Sequence, residues 1–238
     1  MIPRKLLAAR TAVLALAMPG AVLAAQQVQD TSDEVVQETA IEAGWGGDPY
    51  LLAVDPVTGE KLGDIKGQIV LQHEGREFRF ASQETADAFQ TNPQKYIPGV
   101  DARMVRDQLL YYPLTTCLVS DEKLDEHAVN LVYRNRLVRL SRRAYQTAFL
   151  TDPESFIDKL DKAVIAKQRP RYAATTCPIS GEALDSMGAP IEHVLGNRLI
   201  RLCCESCIDD LAKDPLRIVE SYAVEPGEAR TRNEPGPS

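Results

Sequence analysis

Apolar and polar positions alternate with a period of two over three short stretches of the chain, and each stretch runs on into a helical pattern. Gly75-Arg76-Glu77-Phe78-Arg79-Phe80, Asn135-Arg136-Leu137-Val138-Arg139-Leu140 and Asn197-Arg198-Leu199-Ile200-Arg201-Leu202 are matching strands. In the last of them the strand-like Ile191-Glu192-His193-Val194-Leu195 comes first, and Gly196-Asn197 supplies a turn that tolerates positive φ, so the pair predicts a β-hairpin. The helical stretches reach Asn92-Pro93, Asp152-Pro153 and Asp214-Pro215, where a polar N-cap residue and a proline at the first helical position restart a short second helix. Upstream, Asp55-Pro56-Val57-Thr58-Gly59-Glu60, Cys117-Leu118-Val119-Ser120-Asp121-Glu122 and Cys177-Pro178-Ile179-Ser180-Gly181-Glu182 align as well. The predicted fold class is therefore α+β: three tandem small modules, at 49–108, 109–170 and 171–223, each a turn, a β-hairpin and a C-terminal helix pair.

A repeat of about sixty residues is near the lower limit for burying a self-sufficient core, so the copies are expected to stack rather than act as isolated beads. Each has apolar residues to contribute: Phe78, Phe80, Phe89 and Tyr96 in the first, and Val138, Leu140, Phe149 and Phe156 in the second.

Residues 1–24 read as a secretory signal. Arg4, Lys5 and Arg10 precede an apolar run that is interrupted by Pro19-Gly20 and closes on Val22-Leu23-Ala24-Ala25, a small-residue cleavage site. The run is short for a membrane anchor, no cysteine at the cleavage site offers a lipid attachment, and no later apolar stretch is long enough to span a bilayer. An acidic linker is expected over 25–48, where Asp30, Asp33, Glu34, Glu38 and Glu42 stand without a basic residue, and a disordered tail over 224–238. Loss of Arg4, Lys5 and Arg10 takes the formal charge from −7 to −10. So acidic a chain argues against nucleic acid as a partner, because that affinity comes from lysine and arginine neutralising phosphates.

Four of the five cysteines fall near the C-terminal end: Cys177, and the cluster Cys203-Cys204-Glu205-Ser206-Cys207. Thiolates are soft ligands for zinc and copper(I), and a hairpin between two sulfur-bearing segments can close them around one ion. The three copies differ at these positions. The third offers Cys177, Cys203 and Cys207, the second Cys117, Ser141 and Tyr145, the first Asp55, Ala81 and Thr85, so only the third is expected to hold a metal by itself.

The third copy, from Cys177-Pro178-Ile179-Ser180-Gly181 through Cys203-Cys204-Glu205-Ser206-Cys207 to Asp214-Pro215, resembles the YHS/TRASH group of small treble-clef-like metal-binding modules. The first copy's Asp55-Pro56-Val57-Thr58-Gly59 resembles the YHS opening Asp-Pro-Val-Cys-Gly, with threonine in place of cysteine. The resemblance implies a metal, copper or zinc, held by a cysteine before the hairpin and a Cys-x-x-x-Cys at the strand-to-helix junction. Since Ser180 stands at the usual opening cysteine, Cys177 becomes the upstream ligand, and the motif leaves the fourth ligand open.

Export to an oxidising compartment keeps other readings of the cysteines in play. Cys177 could pair with Cys203, Cys204 or Cys207 as a structural staple, Cys203 and Cys207 could cycle between dithiol and disulfide in a redox protein, or the chain could be an interaction scaffold with a purely structural zinc or disulfide. Cys204 reads either as a backup ligand or as a packing cysteine, because adjacent residues at a strand end face opposite ways. Cys117 reads as a small buried hydrophobe or a partner for another thiol, not as a ligand. Met187 and His193 are weaker ligand candidates, the second matched against His73 in the first hairpin, and His127 earns no role. The row Arg79, Arg139 and Arg201 is expected on a solvated strand face.

With three histidines and no phosphate-cradling loop or Ser/His/Asp motif, the chain is read as a non-enzyme. The expectation is a periplasmic or extracellular protein that sequesters, senses or delivers one zinc or copper(I) ion per chain through Cys177, Cys203, Cys207 and Cys204. Its partners would be the ion and another exported or membrane protein. Intact-mass measurement on protein from its native host should find a mature N-terminus at Ala25 or Gln26; a membrane-bound product that retains Met1 would make the apolar run an anchor.

Overall fold

A computed structural model describes residues 47–222. The expected signal, the tail and nearly all of the acidic linker lie outside the described residues. The chain runs β1 (Ile69–His73), β2 (Arg76–Phe80), α1 (Gln83–Thr91), α2 (Pro93–Leu109), β3 (Val129–Tyr133), β4 (Arg136–Leu140), α3 (Tyr145–Thr151), α4 (Pro153–Gln168), β5 (Ile191–Leu195), β6 (Arg198–Leu202), α5 (Ser206–Leu211) and α6 (Pro215–Tyr222). This is the expected α+β plan of three modules, each with its own two-stranded antiparallel sheet. The hairpin register repeats, with Ile69 opposite Phe80, Val129 opposite Leu140 and Ile191 opposite Leu202. Each hairpin closes through two residues that both have positive φ: Glu74-Gly75, Arg134-Asn135 and Gly196-Asn197. That twist matches the strands it joins and suits glycine and asparagine. It also moves Gly75, Asn135 and Asn197 out of the strands and into the turns.

The turn that opens each module is a second repeated device. An isolated β-bridge closes it, between Val54 and Lys61, Thr116 and Lys123, or Thr176 and Ala183. Inside it the N–H of Asp55, Cys117 or Cys177 donates to the carbonyl of Glu60, Glu122 or Glu182 at 2.7–2.8 Å. The N–H of Gly59, Asp121 or Gly181 donates back to the carbonyl of Asp55, Cys117 or Cys177 at 2.9–3.0 Å. The residue at that last position has φ of 74°, 59° and 76°, which makes Asp121 a non-glycine residue in the left-handed region.

The modules stack because the second helix of one packs on the hairpin of the next, α2 against β3 and β4, α4 against β5 and β6. A buried glutamine near the end of each helix fixes the contact. Gln108 Nε2 donates to the Asn135 carbonyl and its Oε1 accepts from the Leu137 N–H, both at 2.7 Å. Gln168 repeats the clamp on the Asn197 carbonyl at 2.8 Å and the Leu199 N–H at 2.9 Å. The turn asparagines complete the seam: Asn135 Oδ1 accepts from Arg76 Nε at 3.1 Å and Asn197 Oδ1 from Arg136 Nε at 2.8 Å. Those arginines reach carboxylates of their own modules, Arg76 to Asp101 and Arg136 to Asp161, and Arg136 also binds Asp48. In the third module the corresponding position is Ala223 in the sequence, and Arg198 instead pairs with Asp107 of α2 at 2.7 Å. Cores cross the boundaries as well. Leu51 packs in the third module's cluster, and Val194 and Leu199 pack in the second's.

The arginine row does not lie on a solvated face. The Arg79 side chain is 9% exposed and pairs with Glu77 at 2.6 Å. Arg139 and Arg201 lie over the rings of Tyr112 and Tyr172, centroid distances 5.9 and 5.8 Å, whose hydroxyls accept the backbone N–H groups of the same arginines at 3.1 Å. The segment leading into each opening turn covers the outer face of the hairpin, which alternation within one strand cannot reveal.

Replacing Gln108 by leucine keeps the volume but leaves the Asn135 carbonyl and the Leu137 N–H buried without partners. The expected loss is roughly 2–4 kcal/mol, read from the urea midpoint at unchanged slope. A loss below about 0.5 kcal/mol, the range of surface changes, would show that the glutamine clamp does not hold the stack.

Candidate metal centre

The hairpin brings the two sulfur-bearing segments of the third module together. Cys177 begins the opening turn, Cys203 follows the last residue of β6, and Cys207 lies in the first turn of α5. All three are buried, and their sulfurs lie within 4.8 Å of one another. Cys207 Sγ is 3.8 Å from Cys177 Sγ and 3.8 Å from Cys203 Sγ. A tetrahedral ion with metal–sulfur bonds of about 2.3 Å has ligand–ligand edges of about 3.8 Å, so the two edges that meet at Cys207 already stand at the spacing of a coordination shell. The group could hold one metal ion. Beside it, Ser180 Oγ is 3.3 Å from Cys203 Sγ.

Burial alone would push the Cys177 thiol up, but donation from the N–H groups of Ser180, Cys203 and Ile179 and from the Ser180 hydroxyl outweighs it and brings the thiol to about 6. Cys207 moves the other way. Its burial, and next the neighbouring sulfurs of Cys204, Cys177 and Cys203, push it well above the ordinary thiol value. The sulfurs of Cys177 and Cys207 therefore do not ionise together unaided. A cation among them removes the repulsion, the usual route by which coordinating thiols lose their protons.

The same place in the other modules holds different chemistry. In the first, Asp55 accepts from the N–H groups of Val57 at 2.8 Å and Thr58 at 3.2 Å, the Ala81 N–H at 2.9 Å and the Thr85 hydroxyl at 2.8 Å. One carboxylate ties the opening turn to the strand-to-helix junction. In the second, Cys117 Sγ accepts from the Ser120 N–H at 3.4 Å, while Glu122 accepts from the Ser120 and Ser141 hydroxyls at 3.1 and 2.8 Å. Cys117 is thus a hydrogen-bond acceptor as well as a packing residue. Among the described residues, only the third module gathers three ligating side chains.

Cys204 is the half-buried sulfur of the cluster and is not part of the mutually close triad. It lies 3.8 Å from Cys203 Sγ and 3.1 Å from Cys207 Sγ. Hydrogen bonds from the Ser206 hydroxyl and from Cys207 lower its thiol to about 7. The spacing Cys204-x-x-Cys207 overlaps Cys203-x-x-x-Cys207 in the sequence, and the sulfur positions separate the two. His193 is not brought to the sulfurs. It sits opposite Ile200 on β5 and lines a cavity of about 570 Å³ with Asp48, Arg136 and Asp161, and none of the five cysteines lines that cavity. His73 is not its counterpart, since it pairs with Arg76 beside the turn, two positions further along the strand. Met187 is 75% exposed. The five cysteines are unbridged thiols. No protein-family model, curated protein or solved structure matches the chain.

Asp55 supplies a test of the shared scaffold. Burial would raise its carboxyl, but the donors from Ala81, Thr85, Val57 and Thr58 hold it below the usual carboxylate range. Its folded value is the lower one, so its stabilisation is complete above the ordinary carboxylate range and is lost as pH falls through the folded value. Asp55→Asn should cost roughly 2–4 kcal/mol at pH 7 by disrupting charge-assisted hydrogen bonds. The gap from wild type should hold down to about pH 4 and narrow below it. Urea unfolding across that range measures both, and a gap that widens in acid would contradict the assignment.

Proposed function

We propose that this is an exported, non-enzymatic metal-binding protein that sequesters, senses or delivers a single soft ion, zinc or copper(I). The observation that carries the reading is the convergence of Cys177, Cys203 and Cys207 at coordination spacing. It is supported by the absence of an equivalent ligand set in the first two modules among the described residues, and by the resemblance of the third module's cysteine pattern to YHS/TRASH modules. In this reading the first two modules hold the stack, the third holds the ion, and an exported or membrane protein supplies or receives it. Export rests on the composition of residues 1–24, and the unfavourable charge for nucleic acid on the acidic balance of the chain.

Anaerobic titration of reduced protein against a chromophoric competitor should find one tight site per chain. Replacing Cys177, Cys203 or Cys207 by serine should weaken binding at least tenfold, or about 1.4 kcal/mol, while Cys204→Ser should cost little. Two or more tight sites, or a silent Cys177→Ser beside a damaging Cys204→Ser, would overturn the assignment.

A further inference from the structure

Cys207 faces two ways. On one side are Cys177 and Cys203; on the other is Cys204, whose sulfur at 3.1 Å is nearer to it than either of them. Cys204 and Cys207 are the two ends of the turn that leads into α5, closed by the Cys207 N–H donating to the Cys204 carbonyl at 3.3 Å, and this brings their sulfurs together. Closing a disulfide needs an approach of only about 1 Å more. The two sulfurs also differ in access: Cys207 is buried and Cys204 is half-buried, as Cys177 and Cys203 are not.

We propose that Cys204 and Cys207 form a second, redox-active site: a dithiol that reacts with a disulfide oxidant and, by closing on itself, withdraws Cys207 from the metal triad. The oxidant class is a small-molecule or protein disulfide. Cys204 thiolate attacks one of its sulfurs, forms a mixed disulfide and expels the first thiolate. Cys207 then gives its thiol proton to the expelled thiolate, attacks Cys204 Sγ, forms the internal disulfide and expels the second. The protein dithiol loses two electrons and the oxidant gains them, leaving as two thiols. Where an ion is bound, the sulfur electron pair of Cys207 passes from the metal to the new S–S bond, and the ion departs without changing its charge. Cys203 is a poorer partner for Cys204 despite its sulfur at 3.8 Å, because adjacent cysteines close only a small strained ring. The ion-release half rests on the metal reading above; the dithiol itself does not.

Oxidised glutathione, applied anaerobically to the reduced full chain, separates the two. In metal-free protein, wild type and Cys203→Ser should each lose one pair of thiols at similar rates to an intramolecular bond, seen by mass spectrometry as two peptides still linked after cleavage at Glu205. Cys204→Ser should react at least tenfold more slowly. Closure of Cys204→Ser at the wild-type rate, or Cys203→Ser behaving as Cys204→Ser, would overturn the pair. In zinc-loaded wild type a chromophoric chelator should register one zinc released per disulfide formed, and disulfide formation with zinc retained would overturn the coupling. A wild type that takes up no zinc would remove the metal reading, while the metal-free assay still decides the dithiol.

Discussion

Each module depends on one buried acceptor at the start of its opening turn. The tight turn aims backbone N–H groups at a single side chain, and the first N–H after the second strand points to the same place. An unpaired buried donor is costly, so the position demands an oxygen or a sulfur that can carry negative charge. Asp55 meets the demand with four hydrogen bonds. Cys117 meets it with a thiol lowered, against its burial, by Ser120 and Ser141. Cys177 meets it with a thiol lowered, against its burial, by Ser180, Cys203 and Ile179. The donors at Ala81, Ser141 and Cys203 are equivalent, as are those at Thr58, Ser120 and Ser180. The turn and the strand-to-helix junction are joined through that acceptor, with the hairpin between them.

The stack is built on a different principle, reciprocal satisfaction across module boundaries. Turns with two positive φ angles leave carbonyls and N–H groups facing outward, and in a lone hairpin water would take them. Here the glutamine of the preceding helix takes them, and the turn asparagine reaches back to an arginine of the module before. Every such bond joins residues far apart in sequence, so each seam forms only when the two modules it joins are folded.

That division also decides what could be read from the chain. Local chemistry was legible: the positive-φ turn at Gly196-Asn197, the Asp-Pro and Asn-Pro helix restarts, and the three aligned acceptors follow from residue types at fixed offsets. The sulfur segments that meet were legible too, because a hairpin returns Cys203 to Cys177. The seams were not. Nothing near Gln108 in sequence shows that it clamps the turn at Asn135, and nothing within β4 or β6 shows that Tyr112 and Tyr172 cover Arg139 and Arg201. Burial of a strand's second face depends on a segment whose path is set by tertiary packing. The Cys204–Cys207 approach was hidden for another reason, since three cysteines in five positions permit overlapping spacings and only side-chain direction separates them.

The first two modules act as internal controls for the third. They show that one carboxylate, or one thiol with hydroxyl neighbours, is enough to fasten the turn to the junction. The third module adds Cys203 where the others have Ala81 and Ser141, and Cys207 where they have Thr85 and Tyr145. As packing residues these sulfurs join the core cluster beside Leu202, Leu211 and Ile218, but alanine or threonine would fill those positions without crowding three thiols together. Crowding has an electrostatic consequence at Cys207, whose thiol is pushed up first by burial and then by the sulfurs of Cys204, Cys177 and Cys203: the more readily one sulfur ionises, the less readily its neighbour does. A structural fastener gains nothing from that conflict. Two outcomes relieve it, a cation that lets all three sulfurs ionise or a disulfide that removes two of them from the count, and Cys207 stands where both can be reached.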